Sequence, residues 1–351
     1  MENLNQVQAE PRLNLYHTIP ENLADIRVEE IDSILPGPSL IHIKGNVSPP
    51  MFISVLLHGN ETTGFLAIQH LIRELNLTAN PAPRDIILFV GNIRAAKKGL
   101  RRLDNEPDYN RIWNGDNLPE HRLAKSVLAM LSQQPLYAAI DIHNNTGKNP
   151  HYACINKTDT SFIHLARRFS KTIVYFTEPH EVISMALSRH CPSVTLECGF
   201  SGNTEGFNHV YNYLVQCLTM PAEELFGPPS NKHNDIYHTI AKITVPENSH
   251  LGFGNCERNV DICFREDLEE LNFTSVPKGT KLGVSGRNGC SLTVMDNNGR
   301  NVTDQYFRID NHAIVTRKEL IPSMFTKNET IIHQDCFGYI MEPYPIDERT
   351  R

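Results

Sequence analysis

The stretch that decides the fold is MFISVLLHGNETTGFLAIQHLIREL, which occupies residues 51–75. Its first seven residues, 51–57, form a continuous apolar run, which is typical of a strand buried on both faces of a parallel sheet. After a polar turn at 58–60, apolar residues recur at helical spacing from Glu61 to Leu75. The stretch therefore predicts a strand, a loop and a helix in succession, the opening of a strand–helix–strand crossover.

The same alternation continues along the chain. Further strands are predicted at 85–90, 137–142, 172–176 and 193–197, and further helices at 120–131, 161–170, 181–190 and 206–218. Strands that alternate with helices favour an α/β fold with a mixed, mostly parallel sheet that carries helices on both faces.

The pattern changes after the turn-forming segment FGPPSN at 226–231. Short β-branched runs broken by turns follow, and they predict strands at 240–245, 281–284, 291–295, 313–316 and 336–341. We therefore expect one domain over 1–230, with its core at about 40–222, and a smaller C-terminal β-rich domain over 236–351.

Composition excludes several classes of protein. The chain has 351 residues, of which 40% are hydrophobic and 21% charged, as in ordinary globular proteins. Its net charge of −7 disfavours binding to nucleic acid or to anionic membranes. Because no apolar run approaches the ~20 residues of a membrane span, and no basic and apolar leader opens the sequence, we expect a cytoplasmic protein without a membrane span.

The eight cysteines are too sparse for a disulfide scaffold, and they form no CxxC pair. They are therefore predicted to be free thiols.

The first group of residues with a chemical role is HGNE, in which His58 and Glu61 stand three positions apart where a strand gives way to a helix. Side chains converge at such carboxyl ends of parallel strands. An imidazole and a carboxylate at this place suit a zinc ion. The same spacing also arises by chance, so the pair alone is weak evidence.

A second group, DIHNNT at 141–146, ends another predicted strand. His143 is then expected at the same sheet edge as His58 and Glu61. Two nitrogens and one oxygen, with a fourth position left to water, are typical of catalytic zinc. The alternative is a histidine that only ends a strand. Asp141 shares the face of His143 and is a candidate for ordering the site.

A third group, SVTLECG at 193–199, again ends an apolar strand with a carboxylate. Glu197 could serve as the base that takes a proton from water. Its alternative role is that of a solvated glutamate at a strand end.

The fourth group, RRLDNEPDYNRIW at 101–113, is rich in hydrogen-bond donors. Its arginine and asparagine side chains could hold a carboxylate. The alternative is a surface loop whose arginines pair with Asp104, Glu106 and Asp108.

Taken in order, these motifs resemble the aspartoacylase and succinylglutamate desuccinylase family, whose members are related to the zinc carboxypeptidases. The motifs are HGNETTG at 58–64, NIRAAKKGLRRLD at 92–104, DYNRIW at 108–113, DIHNNT at 141–146 and LECG at 196–199. The β-rich tail is similar to the C-terminal domain of that family. The resemblance implies that the first domain is a zinc hydrolase catalytic domain.

The resemblance also implies roles for single residues. The ligands of one Zn²⁺ ion per chain are expected to be His58, Glu61 and His143. Glu197 is expected to be the general base, and Arg102 to stabilise the oxyanion. The segment LDNEPDY at 103–109 is about two residues longer than is usual in the family, so the position of Arg102 is open.

The expected substrate is a small anionic N-acyl amino acid. Its carboxylate is expected to contact Asn110 and Arg111, and Asn144 is a further predicted substrate-binding residue. Arg189 and Tyr339 are open candidates, because neither aligns clearly with the family pattern.

The expected activity is hydrolysis of the amide bond of N-acyl amino acids. A metallocarboxypeptidase that acts on short peptides, or a zinc- or ligand-binding protein without turnover, are the alternatives. The acyl group, the amino acid and the formation of a homo-oligomer stay open.

Overall fold

The structure is a computed structural model that describes residues 11–227, 235–256, 260–286 and 291–345. Within these residues, no helix is both long and apolar enough to cross a bilayer. Contacts divide the chain into two compact units. Unit 1 comprises 1–143, 179–196 and 207–227, and unit 2 comprises 144–178, 197–206 and 228–351.

The strands are β1 (Asn14–Tyr16), β2 (Ser39–Ile43), β3 (Met51–Val55), β4 (Ile86–Val90), β5 (Ala138–His143), β6 (Tyr152–Ile155), β7 (Thr172–Tyr175), β8 (Ser193–Glu197), β9 (Asp235–Thr244), β10 (Leu251–Phe253), β11 (Ile262–Phe264), β12 (Lys281–Ser285), β13 (Thr293–Asp296), β14 (Phe307–Asp310), β15 (Ala313–Thr316), β16 (Ile321–Ser323) and β17 (Gly338–Pro343). The helices are α1 (Thr63–Glu74), α2 (Ile93–Ala96), α3 (Pro119–Leu131), α4 (Thr160–Phe169), α5 (Ile183–Leu187), α6 (Thr204–Thr219), α7 (Ala222–Leu225), α8 (Thr303–Tyr306) and α9 (Glu329–Gln334), with 3₁₀ helices at Val28–Ser33 and Leu268–Leu271.

Unit 1 is built on strands in the order β1-β2-β4-β3-β5-β8. Strand β3 pairs in parallel with both β4 and β5, whereas β2 is antiparallel to β4. All residues of β3, β4 and β5 are buried, as their continuous apolar runs predict.

Helices cover both faces of this sheet. Phe52 and Ala139 face a core shared with Val127 of α3 and Leu187 of α5. On the other face α1 packs against β3 and β5, and a Cβ atom at Gly64 would lie 2.9 Å from Ile142, so glycine permits the close approach. The predicted mixed α/β fold with helices on both faces is thus confirmed.

Unit 2 contains two sheets. In the first, the strand order is β6-β7-β9-β17-β16, and β13 pairs with residues 241–244 of β9, beyond the part of β9 that pairs with β7. Strands β6, β7 and β9 run parallel, and β17 is antiparallel to β9. The second is a five-stranded sheet, β10-β11-β12-β15-β14, which is antiparallel except for β10 and β11. Apolar residues of both sheets share one core, including Ile243, Phe264 and Phe337.

The predicted domain bounds, 1–230 and 236–351, stay a prediction. The segment in which the boundary was expected, 228–236, falls largely outside the described residues. In the tail, strands β9, β13, β16 and β17 belong to the same sheet of unit 2 as β7, which precedes that segment in sequence.

One prediction about the cysteines is wrong. Cys256 and Cys263 form a disulfide, and they can do so because β10 and β11 place the two ends of this short loop side by side. The free cysteines of the described residues are all buried: Cys154, Cys191, Cys198, Cys217 and Cys336.

Candidate metal centre

His58 and Glu61 lie in the loop between β3 and α1. The chain turns directly after β3 at Leu56, whose φ is +55°. A Cβ atom at Gly59 would lie 2.1 Å from the amide nitrogen of Ala96, so only glycine lets this loop pass so close to α2. The turn therefore brings His58 and Glu61 together at the end of the strand.

His143 is the last residue of β5, which lies beside β3. Because the two strands are parallel, their ends meet at one edge of the sheet. Glu61 Oε1 lies 2.8 Å from His58 Nδ1, and Glu61 Oε2 lies 2.7 Å from His143 Nδ1. The two Nδ1 atoms are 3.2 Å apart. One ligand atom from each residue lies within 4.8 Å of the others, so the three can hold one metal ion.

Each imidazole has a carboxylate on its far side. His58 Nε2 lies 2.9 Å from Asp108 Oδ1, and His143 Nε2 lies 2.8 Å from Asp141 Oδ2. Asp141 in turn accepts a hydrogen bond from the Ser54 hydroxyl at 2.7 Å. A carboxylate that accepts the Nε2 proton fixes the tautomer in which Nδ1 is the ligand. Both rings therefore present Nδ1 to the same point.

A buried arginine completes the cluster. Arg101 donates to Asp108 Oδ2 from Nη2 at 2.9 Å and from Nε at 3.2 Å. Its Nη1 lies 3.6 Å from Glu61 Oε1. Side-chain exposure is 8% for Arg101 and 5% for Glu61, so this contact is poorly screened by solvent.

The electrostatics of the centre favour positive charge. Burial raises the pKa of Glu61, but His58 and His143 outweigh burial and hold that pKa well below its ordinary value. Burial likewise lowers the pKa of His143, yet Asp141 and Glu61 raise it well above its ordinary value. A dication bound between Glu61 and the two rings would supply the charge that protons otherwise supply.

Asp108 belongs to the same balance. Its burial raises the pKa of the carboxyl group, but the neighbouring His58 and Arg101 hold that pKa well below the usual range. Asp108 is therefore charged at neutral pH and can keep its hydrogen bond to His58.

The segment before Asp108 is held in place by hydrogen bonds to Glu106 and Asn92. Glu106 is buried, and its Oε1 accepts from Asn92 Nδ2 at 2.5 Å and from the Leu103 amide at 2.8 Å. Asn92 also caps α2 by accepting from the Ala95 amide. Residues 103–106 are thus anchored next to the end of β4.

The predicted residues of this segment have different surroundings. Arg102, the predicted oxyanion residue, donates from Nη1 to the Glu106 carbonyl at 3.0 Å. Asn110 is buried, with Nδ2 3.3 Å from His143 Nε2 and Oδ1 accepting from the Ile183 amide at 3.2 Å. Arg111 is half-buried and donates to the Asn110 carbonyl at 3.0 Å.

Two further predicted residues lie in unit 2. Glu197 is half-buried, and its Oε2 accepts a hydrogen bond from Asn145 Nδ2 at 3.0 Å. Asn144 is buried and donates from Nδ2 to the Gly199 carbonyl at 2.8 Å. The meeting of Glu197 with His58, Glu61 and His143 stays a prediction.

The two open candidates differ in burial. Arg189 is exposed after α5 in unit 1, and Tyr339 is half-buried on β17 in unit 2.

Sequence reasoning missed the place of Arg101 in the centre. The acids of this loop were considered only in the alternative interpretation, as surface partners of the arginines, whereas Asp108 pairs with Arg101 inside the protein. The only sign of this arrangement in the sequence was the segment DYN at 108–110. An acid two positions before Asn110 can face the protein interior together with that asparagine.

Comparison with known proteins agrees with this geometry. Residues 48–206 match the sequence profile of the succinylglutamate desuccinylase/aspartoacylase catalytic domain. This segment is therefore similar to the catalytic domain of the succinylglutamate desuccinylase/aspartoacylase family. The match spans His58, Glu61, His143 and Glu197, and it confirms the resemblance seen in the motifs. Among curated proteins, no sequence matches this chain.

Solved structures of this family share the fold. Succinylglutamate desuccinylase/aspartoacylase from Rhodobacter sphaeroides is 14% identical, with a TM-score of 0.58 over 87% of this chain and 88% of the other. Succinylglutamate desuccinylase from Chromobacterium violaceum is 16% identical, with a TM-score of 0.53 over 87% and 86%. Murine aminoacylase 3 is 14% identical, with a TM-score of 0.50 over 85% and 97%. At these identities the likeness shows the fold alone.

Proposed function

We propose that this protein is a zinc-dependent hydrolase that cleaves the amide bond of N-acyl amino acids. The observation that carries the proposal is the buried cluster of His58, Glu61 and His143 inside the segment that matches the catalytic domain of the family. Solved structures named succinylglutamate desuccinylase, aspartoacylase and aminoacylase 3 support the same class of substrate.

The donor set fits zinc. Two imidazole nitrogens and one carboxylate oxygen would hold the ion through His58, His143 and Glu61, and three protein ligands are typical of catalytic rather than structural zinc. The carboxylates of Asp108 and Asp141 would keep both rings in the ligating tautomer. When bound, zinc supplies a Lewis acid that makes water nucleophilic near neutral pH and polarises a carbonyl.

Glu197 would act as the general base. It accepts a proton from the water that attacks the amide carbonyl, and it later returns that proton to the leaving nitrogen. The water oxygen first adds to the carbonyl carbon, and the carbon–nitrogen bond then breaks as the nitrogen takes up the proton, which gives a free carboxylic acid and an amino acid.

Arg101 is the stronger candidate for stabilising the oxyanion. Its guanidinium lies beside Glu61 in the centre, whereas Arg102 donates to a backbone carbonyl of its own loop. A cation aimed at developing charge in a buried site stabilises a transition state more than it would in water. Arg102, predicted from the motif, therefore becomes the matched comparison for Arg101.

Arg111 is proposed to bind the substrate carboxylate, because its guanidinium is half-buried and it directly follows Asn110, whose side chain lies beside His143. Asn110 stays a proposed contact of the same carboxylate, and its Oδ1 accepts from the Ile183 amide, which fixes the side chain. Asn144 stays a proposed substrate contact. A cytoplasmic location and a homo-oligomer are likewise proposals that rest on the sequence.

The test is a substrate panel with zinc-loaded protein. Release of amino groups should occur from one or more N-acetyl, N-succinyl or longer N-acyl amino acids, and Glu197→Gln should abolish it while keeping zinc. Release from short peptides but from none of the acylated amino acids would favour a carboxypeptidase instead. Activity in neither group, with zinc bound, would favour a binding protein and contradict the proposal.

A further inference from the structure

The loop that follows His143 is tied by three hydrogen bonds to Glu197, the last residue of β8, and to the loop after it. The Asn145 amide donates to the Gly199 carbonyl at 2.9 Å, and Asn144 Nδ2 donates to the same carbonyl at 2.8 Å. The third bond joins Asn145 Nδ2 to Glu197 Oε2 at 3.0 Å. All of these residues belong to unit 2.

Asn145 is well placed to hold a carboxylate still. It is only 2% exposed, so water competes little for its amide group. Its backbone is fixed by the bond to Gly199, a residue whose φ of +71° favours glycine and turns the chain directly after Glu197. A glutamate has three rotatable side-chain bonds, and a buried donor on a fixed backbone restricts them.

The far side of Asn145 is also packed. The hydroxyl of Tyr152 lies 3.5 Å from Asn145 Oδ1 and 2.9 Å from the sulfur of Met324. Burial and the neighbouring charge of Glu197 raise the pKa of Tyr152 well above its ordinary value, so the hydroxyl keeps its proton as a donor. In this arrangement Asn145 Oδ1 faces the Tyr152 hydroxyl and Nδ2 faces Glu197.

The chemistry of the donor matters as well. A guanidinium or ammonium group bound to the carboxylate would strongly favour its charged form and oppose proton uptake. An amide donor is neutral, so it orients the carboxylate and leaves proton transfer open. This combination suits a group that must accept and return a proton in each turnover.

We propose that Asn145 is a positioning residue that sets the orientation of the Glu197 carboxylate for proton transfer. The inference rests on the proposed function, in which Glu197 is the base. It assigns Asn145 no contact with substrate. Loss of the bond should therefore lower kcat and leave KM nearly unchanged, since a displacement of about 1 Å can cost about 100-fold in rate.

The experiment compares three variants of the full-length, zinc-loaded protein on the best substrate of the panel. Asn145→Ala removes the donor, Asn145→Asp keeps the shape but places a second carboxylate against Glu197, and Asn145→Ser keeps a shorter donor. We expect kcat to fall by about 10- to 100-fold in Asn145→Ala. The fall should be larger in Asn145→Asp, because like charges repel, and partly recovered in Asn145→Ser.

Asn156→Ala is the matched control. Asn156 is also a buried asparagine of unit 2, and its amide donates to the Phe176 carbonyl at 3.3 Å. We expect this variant to lose stability but to keep kcat. Zinc content and the thermal midpoint, measured for every variant, separate a positioning effect from loss of structure.

Two results overturn the inference. One is a wild-type kcat in both Asn145→Ala and Asn145→Asp while Glu197→Gln is inactive, which would leave the proposed function standing. The other is a loss of kcat that is no greater in Asn145→Ala than in Asn156→Ala. If Glu197→Gln itself keeps the wild-type rate, the assignment of the base fails first.

Discussion

At the scale of single residues, the centre depends on matched pairs. His58 is paired with Asp108 and His143 with Asp141, and each carboxylate accepts from the Nε2 atom of its ring. Neither acid lies among the three ligands, yet both decide which nitrogen of the ring is available. Replacing either carboxylate should therefore weaken metal binding more than it destabilises the fold.

The first prediction concerns these carboxylates. Asp141→Asn should weaken zinc binding by about 10- to 100-fold, because the amide no longer holds the Nε2 proton of His143 as a carboxylate does. Competition with a zinc chelator measures the affinity. Asp85→Asn, which alters a buried acid directly before β4 and away from the rings, is the control. Equal affinity in Asp141→Asn and the wild type would contradict the role given to Asp141.

The second prediction separates two neighbouring arginines. Arg101→Gln should lower kcat by roughly 100-fold or more, because it removes the cation that is proposed to stabilise the oxyanion. Arg102→Gln should have a much smaller effect, since Arg102 donates to the Glu106 carbonyl. Steady-state kinetics on one substrate compare the two. A larger loss in Arg102→Gln would restore the assignment made from the motif.

At the scale of elements, hydrogen bonds within the segment from Arg101 to Asp108 position the residues that contact the candidate metal centre. Glu106 accepts from Asn92 and from the Leu103 amide, so the loop is pinned to the end of β4. Asp108 then reaches both His58 and Arg101.

The third prediction follows from this anchor. Glu106→Ala leaves the amide of Asn92 and that of Leu103 buried without their acceptor, which should cost about 1–3 kcal/mol of unfolding free energy. Zinc affinity should fall as well, because Asp108 is less firmly placed. Urea unfolding and chelator competition measure the two effects. Unchanged values of both would show that the loop does not depend on Glu106.

A group of hydrogen bonds around Asp85 joins the segment after β2 to the start of β4. Asp85 accepts from the Gly45 amide at 2.7 Å and from the Ser48 hydroxyl at 2.5 Å, and Lys44 Nζ lies 3.3 Å away. Although burial raises the pKa of Asp85, the Ser48, Gly45 and Lys44 contacts outweigh it and lower that pKa below its ordinary value. The charged carboxylate is therefore the stabilising form.

The fourth prediction concerns how the stability contributed by Asp85 depends on pH. A pKa that is lower in the folded than in the unfolded protein contributes stability above the unfolded value and loses it as pH falls. Asp85→Asn should be less stable than the wild type at pH 7 by about 1–3 kcal/mol, and the difference should shrink below about pH 4. Exposed Asp104→Asn is the control. A difference that stays constant from pH 7 to pH 3 would contradict this account.

The sequence predicted elements well where one signal dominates. The apolar runs at 51–57 and 193–197 became β3 and β8, and the helical spacing at 61–75 became α1 at Thr63–Glu74. Short strands with mixed burial, such as β1, β10 and β16, were missed because three residues carry too little periodicity.

The site was predictable to a similar degree. His58, Glu61 and His143 stand at strand ends, where position in sequence implies position in space, and the structure brings them together. The contacts of Arg101 depend on the path of a loop, which no local pattern records.

At the scale of the whole molecule, pairing in the tail could not be read from the sequence. Strands β9 and β17 read as parts of a β-rich segment, but their partners are chosen by long-range contacts. The disulfide between Cys256 and Cys263 was missed for the same reason, since only the pairing of β10 with β11 brings the two sulfur atoms together.

Zinc should also change the stability of the whole chain. A ligand that binds only the folded protein adds unfolding free energy that grows with its concentration. Added zinc should therefore raise the thermal midpoint of the apoprotein and should not raise that of His58→Ala. An equal rise in both proteins would place the stabilising metal elsewhere.

The central claim is that one catalytic metal ion lies between His58, Glu61 and His143. Its most direct test is to measure the zinc content of the wild-type protein and of His143→Ala by elemental mass spectrometry. The two proteins are purified in parallel, with the same zinc-containing buffer and the same gel filtration. We predict about one zinc ion per chain in the wild type and almost none in the variant. Equal zinc in both proteins, or none in either, would contradict the account.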